Sequence, residues 1–76
     1  MKEIKMFDMK NDSEFLEQLR EKNQILFMTK SGKYFSGMVE WQQGWGNNYF
    51  IKGDDNQEHD IIDIAEYCIL DEFIVD

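Results

Sequence analysis

Ile25-Leu26-Phe27-Met28-Thr29-Lys30-Ser31-Gly32-Lys33-Tyr34-Phe35-Ser36-Gly37-Met38-Val39-Glu40-Trp41 is the stretch that decides the fold class of this chain. Its first five residues are a short apolar run suited to a strand buried on both faces. Lys30-Ser31-Gly32-Lys33 has the chemistry of a hairpin turn, and Tyr34–Trp41 continues as a second strand. Gly37 inside that strand predicts a bend or bulge, the device that small barrels use at their corners. Alternation puts Trp41 on the same face as Val39, toward the core.

On the N-terminal side, Ile4 and Met6 alternate with Glu3 and Lys5, which predicts a short edge strand or an extended arm. Asn11-Asp12-Ser13-Glu14 supplies a helix start, with Asn11 or Ser13 as the cap and Asn11 and Glu14 at capping-box spacing. Phe15, Leu16 and Leu19 form an apolar stripe, and the pattern predicts a helix of about ten residues ending near Asn23. On the C-terminal side, Gln42-Gln43-Gly44-Trp45-Gly46-Asn47-Asn48 is an uncharged loop. Tyr49-Phe50-Ile51-Lys52 is a third strand and Gly53-Asp54-Asp55-Asn56 a turn.

The tail fits two patterns. Ile61, Ile62, Ile64, Ala65, Cys68 and Ile69 match a helical face. The same residues match a strand through Ile62 and Ile64, a tight turn near Ala65-Glu66, and a strand from Tyr67 to Val75. The β-branched content and the three preceding strands favour the second pattern.

Charge is divided along the chain. Residues 53–76 hold nine Asp or Glu and no Lys or Arg, whereas residues 1–52 sum to plus one, so one end carries the formal net charge of −8. That asymmetry argues against direct binding to nucleic acid or anionic lipid and favours a basic protein partner. The 76 residues make a single domain with a thin stability margin. One cysteine, Cys68, forms no intrachain disulfide, and one histidine, His59, cannot complete a Cys/His zinc site. Packing of the 11 aromatic residues, or oligomerisation, must supply stability. No apolar run resembles a secretory signal or a membrane span, so a cytoplasmic location without membrane association is expected.

Trp45, between Gly44 and Gly46, is the leading contact residue: tryptophan is enriched at interface hot spots, and flanking glycines let a partner approach. The competing reading folds Trp45 back over the core. Tyr49 is a second expected anchor, and Glu58, Asp60, Asp63 and Glu66 are expected to steer a basic partner. Asp54, Asn56, Glu58 and Asp60 alternate like the ligands of a calcium loop. His59 replaces its central glycine and Ala65 its terminal glutamate, so no metal and no cofactor are expected. Cys68 lies between Tyr67 and Ile69, where a thiol is ordinarily buried and inert. Mimicry of a nucleic-acid backbone is a further reading. Glu58 and Asp60 on one strand would be about 6.7 Å apart, half as dense as the phosphates, so Glu14, Glu17 and Glu21 of the helix would have to supply a second row on the same face.

The element order, one helix followed by about five strands, resembles the Sm-like and SH3-like small barrels. Gly32-Lys33-Tyr34-Phe35-Ser36-Gly37 is similar to the Gly-x4-Gly of the first Sm motif, and Asn48-Tyr49-Phe50-Ile51 to the segment that closes it. The family's Asp is replaced by Gln43, the Asn lies one residue late, and the second motif has no counterpart in the acidic tail. Those motifs build the family's RNA pocket, so the resemblance implies the fold without RNA binding. Length, acidity and aromatic content also resemble small proteins encoded by bacteriophages.

The expected fold class is α+β: an N-terminal helix packed on a strongly bent antiparallel sheet or a small SH3/Sm-like barrel of about five strands. The expected function is a non-enzymatic acidic module that binds a basic partner, one instance being a phage-type inhibitor of a nucleic-acid-handling host protein. The alternatives are an Sm-like nucleic-acid-binding ring and a self-assembling homo-oligomeric component.

Overall fold

The computed structural model describes residues 4–22, 24–44 and 48–70. It is a mixed α+β fold with one helix, α1 (Ser13–Arg20), and six strands: β1 (Phe7–Asp8), β2 (Ile25–Thr29), β3 (Tyr34–Trp41), β4 (Tyr49–Gly53), β5 (Glu58–Asp60) and β6 (Ile64–Ile69). A 3-10 turn, Ile61–Asp63, joins β5 to β6. The strands form one antiparallel sheet in the order β1-β6-β2-β3-β4-β5, which leaves β1 and β5 as edges.

α1 starts where Asp12, in extended conformation, accepts a hydrogen bond from the Glu14 amide at 3.3 Å. The cap is thus Asp12 rather than Asn11 or Ser13; all three are good caps by chemistry, and only backbone geometry separates them. Leu16 and Leu19 are the buried face of the helix, each removing apolar area worth roughly 1.5–3 kcal/mol. The helix ends at Arg20, whose guanidinium reaches both oxygens of Glu17 one turn earlier at 2.9 Å.

The hairpin of β2 and β3 has the expected bounds. Gly32 takes the positive φ of 89° that closes its turn, and Thr29 and Lys33 are bridged by an amide–carbonyl bond of 2.8 Å. β2 is fully buried on one side only, through Ile25 and Phe27, while Leu26 and Met28 on its other side are half-buried. Gly37 makes no bulge: the β3–β4 register runs without interruption from Gly37↔Gly53 to Trp41↔Tyr49. A Cβ at Gly37 would instead run into the Lys52 carbonyl oxygen and meet the Gly53 Cα at 3.0 Å. The glycine is there for close strand approach. The register irregularity lies between β2 and β6, at Met28/Thr29. It changes the parity of β6: Glu66 and Cys68 lie opposite Met28 and Leu26, yet Ile64 lies opposite Thr29 and is buried in the core.

Residues 61–69 are a 3-10 turn and a strand rather than an α-helix. The turn comes earlier than expected, at Ile61–Asp63, where the Asp60 carboxylate accepts from the Ile62 amide at 3.1 Å. Ala65 and Glu66 lie inside β6. The expected extension of this strand to Val75 reaches positions outside the described residues. The short turn also constrains the sheet. β5 and β6 are four strand spacings apart in the hydrogen-bonded order, about 19 Å if the sheet were flat, whereas three 3-10 residues advance only about 2 Å each. The sheet therefore curls, bringing its two ends toward each other around the core.

The concave side of that curl holds Ile25, Phe27, Phe35, Val39, Tyr49, Ile51 and Ile64, with Leu16 and Leu19 of α1 against them. Phe7, Tyr67, Phe27 and Phe35 stand opposite one another across β1, β6, β2 and β3. Phe15 of the helix meets Tyr67 edge-on, ring centroids 5.3 Å apart. Trp41 shares the parity of Val39 but is 45% exposed: it is the last residue of β3, where the strand gives way to a loop.

Candidate functional site

The cross-strand register sorts the charged residues. Directly opposed residues in an antiparallel pair share a face, so the convex face can be traced strand by strand. Asp8 lies opposite Glu66, and Glu66 opposite Met28. Met38 lies opposite Lys52, and Lys52 opposite Glu58. Glu40 lies opposite Phe50, and Phe50 opposite Asp60. Asp54, in the turn after β4, accepts a hydrogen bond from the Ser36 hydroxyl at 2.7 Å and so joins the same face. Among the described residues, the convex strand positions thus carry Asp8, Glu40, Glu58, Asp60 and Glu66 against the ammonium of Lys52, with Asp54 in the turn beside them. The concave strand positions carry no Asp, Glu, Lys or Arg.

The convex face is also partly apolar. Tyr34 is 60% and Met38 39% exposed, and both lie on β3 with the half-buried Leu26 and Met28 of β2 beside them. A shallow depression of about 340 Å³ lies on this side, lined by Gln24, Ser36, Met38, Lys52, Asp54 and Leu70, with Gly37 and Gly53 also bordering it.

Glu58, Asp60 and Glu66 therefore share the convex face, and Asp63 is exposed in the 3-10 turn between them in sequence. Tyr49 lies elsewhere. It is 7% exposed within the core cluster, and its hydroxyl donates to Glu17 Oε1 at 2.9 Å, tying the helix to β4. Burial, and after it the Glu17 carboxylate, push the Tyr49 hydroxyl above its usual value. Its parity with Ile51 was the signal for burial. Trp45 lies outside the described residues. Of the helix acids, Glu17, with Glu21 just beyond Arg20, borders the sheet at β3, where both line a shallow depression with Arg20, Met38, Val39 and Glu40, whereas Glu58, Asp60 and Glu66 lie on β5 and β6.

The turn after β4 is built around Asp55. Its Oδ1 accepts from the Gln57 amide at 3.1 Å and its Oδ2 pairs with His59 Nε2 at 2.9 Å. Partial desolvation pushes the Asp55 carboxyl up, but the His59 hydrogen bond, followed by that of Gln57, outweighs it and holds the group below the ordinary carboxylate value. His59 lies flat on Phe35, centroids 4.0 Å apart and planes 18° from parallel. Gly53 leaves room for this stack, since a Cβ there would sit 3.0 Å from Phe35 Cδ2. Of the residues that resembled a calcium loop, Asp54 is engaged with the Ser36 hydroxyl and Asp60 with the Ile62 amide. Among the described residues no group of three or more His, Cys, Asp or Glu is placed to hold a metal ion. The His59–Asp55 pair was legible only as an i,i+4 spacing in a turn, without the Phe35 ring that completes it.

Cys68 is a buried thiol on the convex parity of β6, opposite Leu26, whereas His59 has the concave parity of Ile51. The two do not meet. Among the described residues no helix is long and apolar enough to cross a membrane. Comparison with protein-family models, with curated proteins and with solved structures finds no match to this chain.

Proposed function

We propose that the protein is a small, non-enzymatic binding module whose convex sheet face receives a basic protein partner. The observation that carries this reading is the segregation of charge by register: five carboxylates and one ammonium at the convex strand positions, with Asp54 in the adjoining turn, and no Asp, Glu, Lys or Arg at the concave strand positions. A sheet needs one polar face for solubility, and a mixture of signs suffices for that. A surplus of one sign raises the local concentration of an oppositely charged partner and speeds its encounter. Among the described residues the carboxylates of Asp8, Glu40, Glu58 and Glu66 have no ion-pair or hydrogen-bond partner within the chain. The exposed Tyr34 and Met38 supply apolar area for the docked state.

One instance of such a module is an inhibitor that covers the basic, nucleic-acid-handling surface of a host protein. At the level of fold we read a small Sm- or SH3-like barrel. A helix followed by five strands, and the curl demanded by the short 3-10 turn, support that reading. The same acidic face counts against an RNA-binding ring, since it would repel phosphates. Edge pairing between copies is disfavoured as well: β1 and β5 are two and three residues long and carry Asp8, Glu58 and Asp60.

Titration of the protein with a fluorescent lysine- and arginine-rich peptide over a range of salt concentrations tests the reading. Affinity is expected to fall steeply as salt rises. Binding that does not depend on salt, or no binding at low salt, rejects it.

A further inference from the structure

We infer that the depression bounded by Met38, Leu70 and Asp54 on the convex face is a receptor for an arginine side chain of the basic partner. The inference rests on the proposed function and narrows it from a face to an anchor point. The depression lies over the opposed glycines of β3 and β4, where the two strands approach so closely that a Cβ on Gly37 would collide with the Lys52 carbonyl. It is lined by Met38, exposed at 39%, and the half-buried Leu70, with the Asp54 carboxylate alongside them.

This combination suits one side chain. Arginine lays an apolar stem on thioether and aliphatic surface while its planar head meets a carboxylate. Asp54 is already oriented: its amide donates to the Ser36 carbonyl at 2.8 Å, and its Oδ2 receives the Ser36 hydroxyl at 2.7 Å. Among the described residues no donor bonds Oδ1, and a carboxylate oxygen that holds one hydrogen bond retains a second lone pair. A guanidinium fork can therefore engage both oxygens of a carboxylate fixed in advance, which cuts the entropic cost of the contact. Lys52 also borders the depression, but it stands opposite Glu58 and can swing toward β5 as the arginine enters. A second copy of the chain is a poorer occupant, because its own surplus of negative charge opposes approach to an acidic face.

The test compares two probes of equal charge, a short all-lysine peptide and the same peptide with a central arginine, titrated into isotopically labelled protein and followed by amide NMR shifts. The expected result is tighter binding of the arginine peptide by about tenfold, the value of one well-formed anchor. Its shifts should centre on Ser36, Gly37, Met38, Asp54 and Leu70. Asp54→Asn and, separately, Met38→Ala should bring the arginine peptide down to the all-lysine affinity; both positions are exposed, and an unchanged spectrum of the unbound variants verifies that they fold. Equal affinity of the two peptides, with shifts confined to Glu58, Asp60 and Glu66, would overturn the anchor while leaving the acidic face as the binding surface. Absence of binding by either peptide would overturn both.

Discussion

Asp8 of β1 stands directly opposite Glu66 of β6, so two carboxylates occupy one cross-strand pair at the edge of the sheet. Like charges in that position oppose folding, whereas an opposite pair contributes roughly 0.2–1 kcal/mol. A domain of this size has little stability to spare. Its tolerance of the pair is what a surface shaped by binding rather than by stability would show.

Replacing Glu66 by Lys is therefore expected to stabilise the fold by about 0.5–1 kcal/mol. The midpoint of thermal unfolding should rise by a few degrees, roughly 4–8 °C per kcal/mol for a domain of this length. The gain should shrink in high salt, as screening removes both the repulsion and the new attraction. The same substitution should weaken binding of a basic peptide, so stability and affinity move in opposite directions.

Gly37→Ala is expected to destabilise the domain by about 1–3 kcal/mol, because the added methyl meets backbone rather than a yielding side chain. A lower urea midpoint with unchanged slope would verify it. A neutral substitution would mean that β3 and β4 are not as close as Gly37 and Lys52 place them.

The Tyr49–Glu17 bond gives an alkaline signature. The Tyr49 hydroxyl titrates higher in the folded protein than its usual 10.0. A raised folded value means that the bond's contribution is complete below pH 10.0 and is lost as pH rises through the folded value. Tyr49→Phe should lower stability at neutral pH, since it removes the hydroxyl that Glu17 accepts from. The difference from the native chain should vanish in strong alkali. Denaturant unfolding across that range reads both effects.

Asp55 gives the opposite sign. Its folded value lies below 3.8, so its contribution is present above that pH and is lost as pH falls through the folded value. Asp55→Asn keeps an oxygen for the Gln57 amide but removes the charge that His59 meets. Native and variant stabilities should differ at neutral pH and converge in acid. Curves that stay parallel below pH 3.8 would show that Asp55 does not titrate as its partners dictate.

The parts of this fold that sequence made legible are those set by local chemistry. The bounds of β2 and β3 followed from an apolar run, a Lys-Ser-Gly-Lys turn and an alternating segment, and these suffice because a hairpin is closed by neighbours in the chain. Trp41 shows the boundary of such reasoning: alternation assigns a face, not what covers it, and Trp41 closes its strand 45% exposed. Tyr49 shows the converse: its neighbouring loop suggests a surface, while its parity with Ile51 sets it in the core. The parity change at Met28/Thr29 and the stack of His59 on Phe35 depend on contacts between distant strands, on which a single sequence is silent. The acidic tail was legible as composition, and only the register turned it into a face.

That face is the central claim, and charge reversal at constant total charge tests it most directly. Glu58→Lys with Glu66→Lys alters the convex sheet face, while Glu14→Lys with Glu21→Lys makes the same change of net charge on the helix. Affinity for a lysine- and arginine-rich peptide, measured by fluorescence anisotropy at low salt, should collapse for the first pair and persist close to native for the second. Equal losses for the two pairs would contradict the account, since the peptide would then be sensing net charge rather than a face.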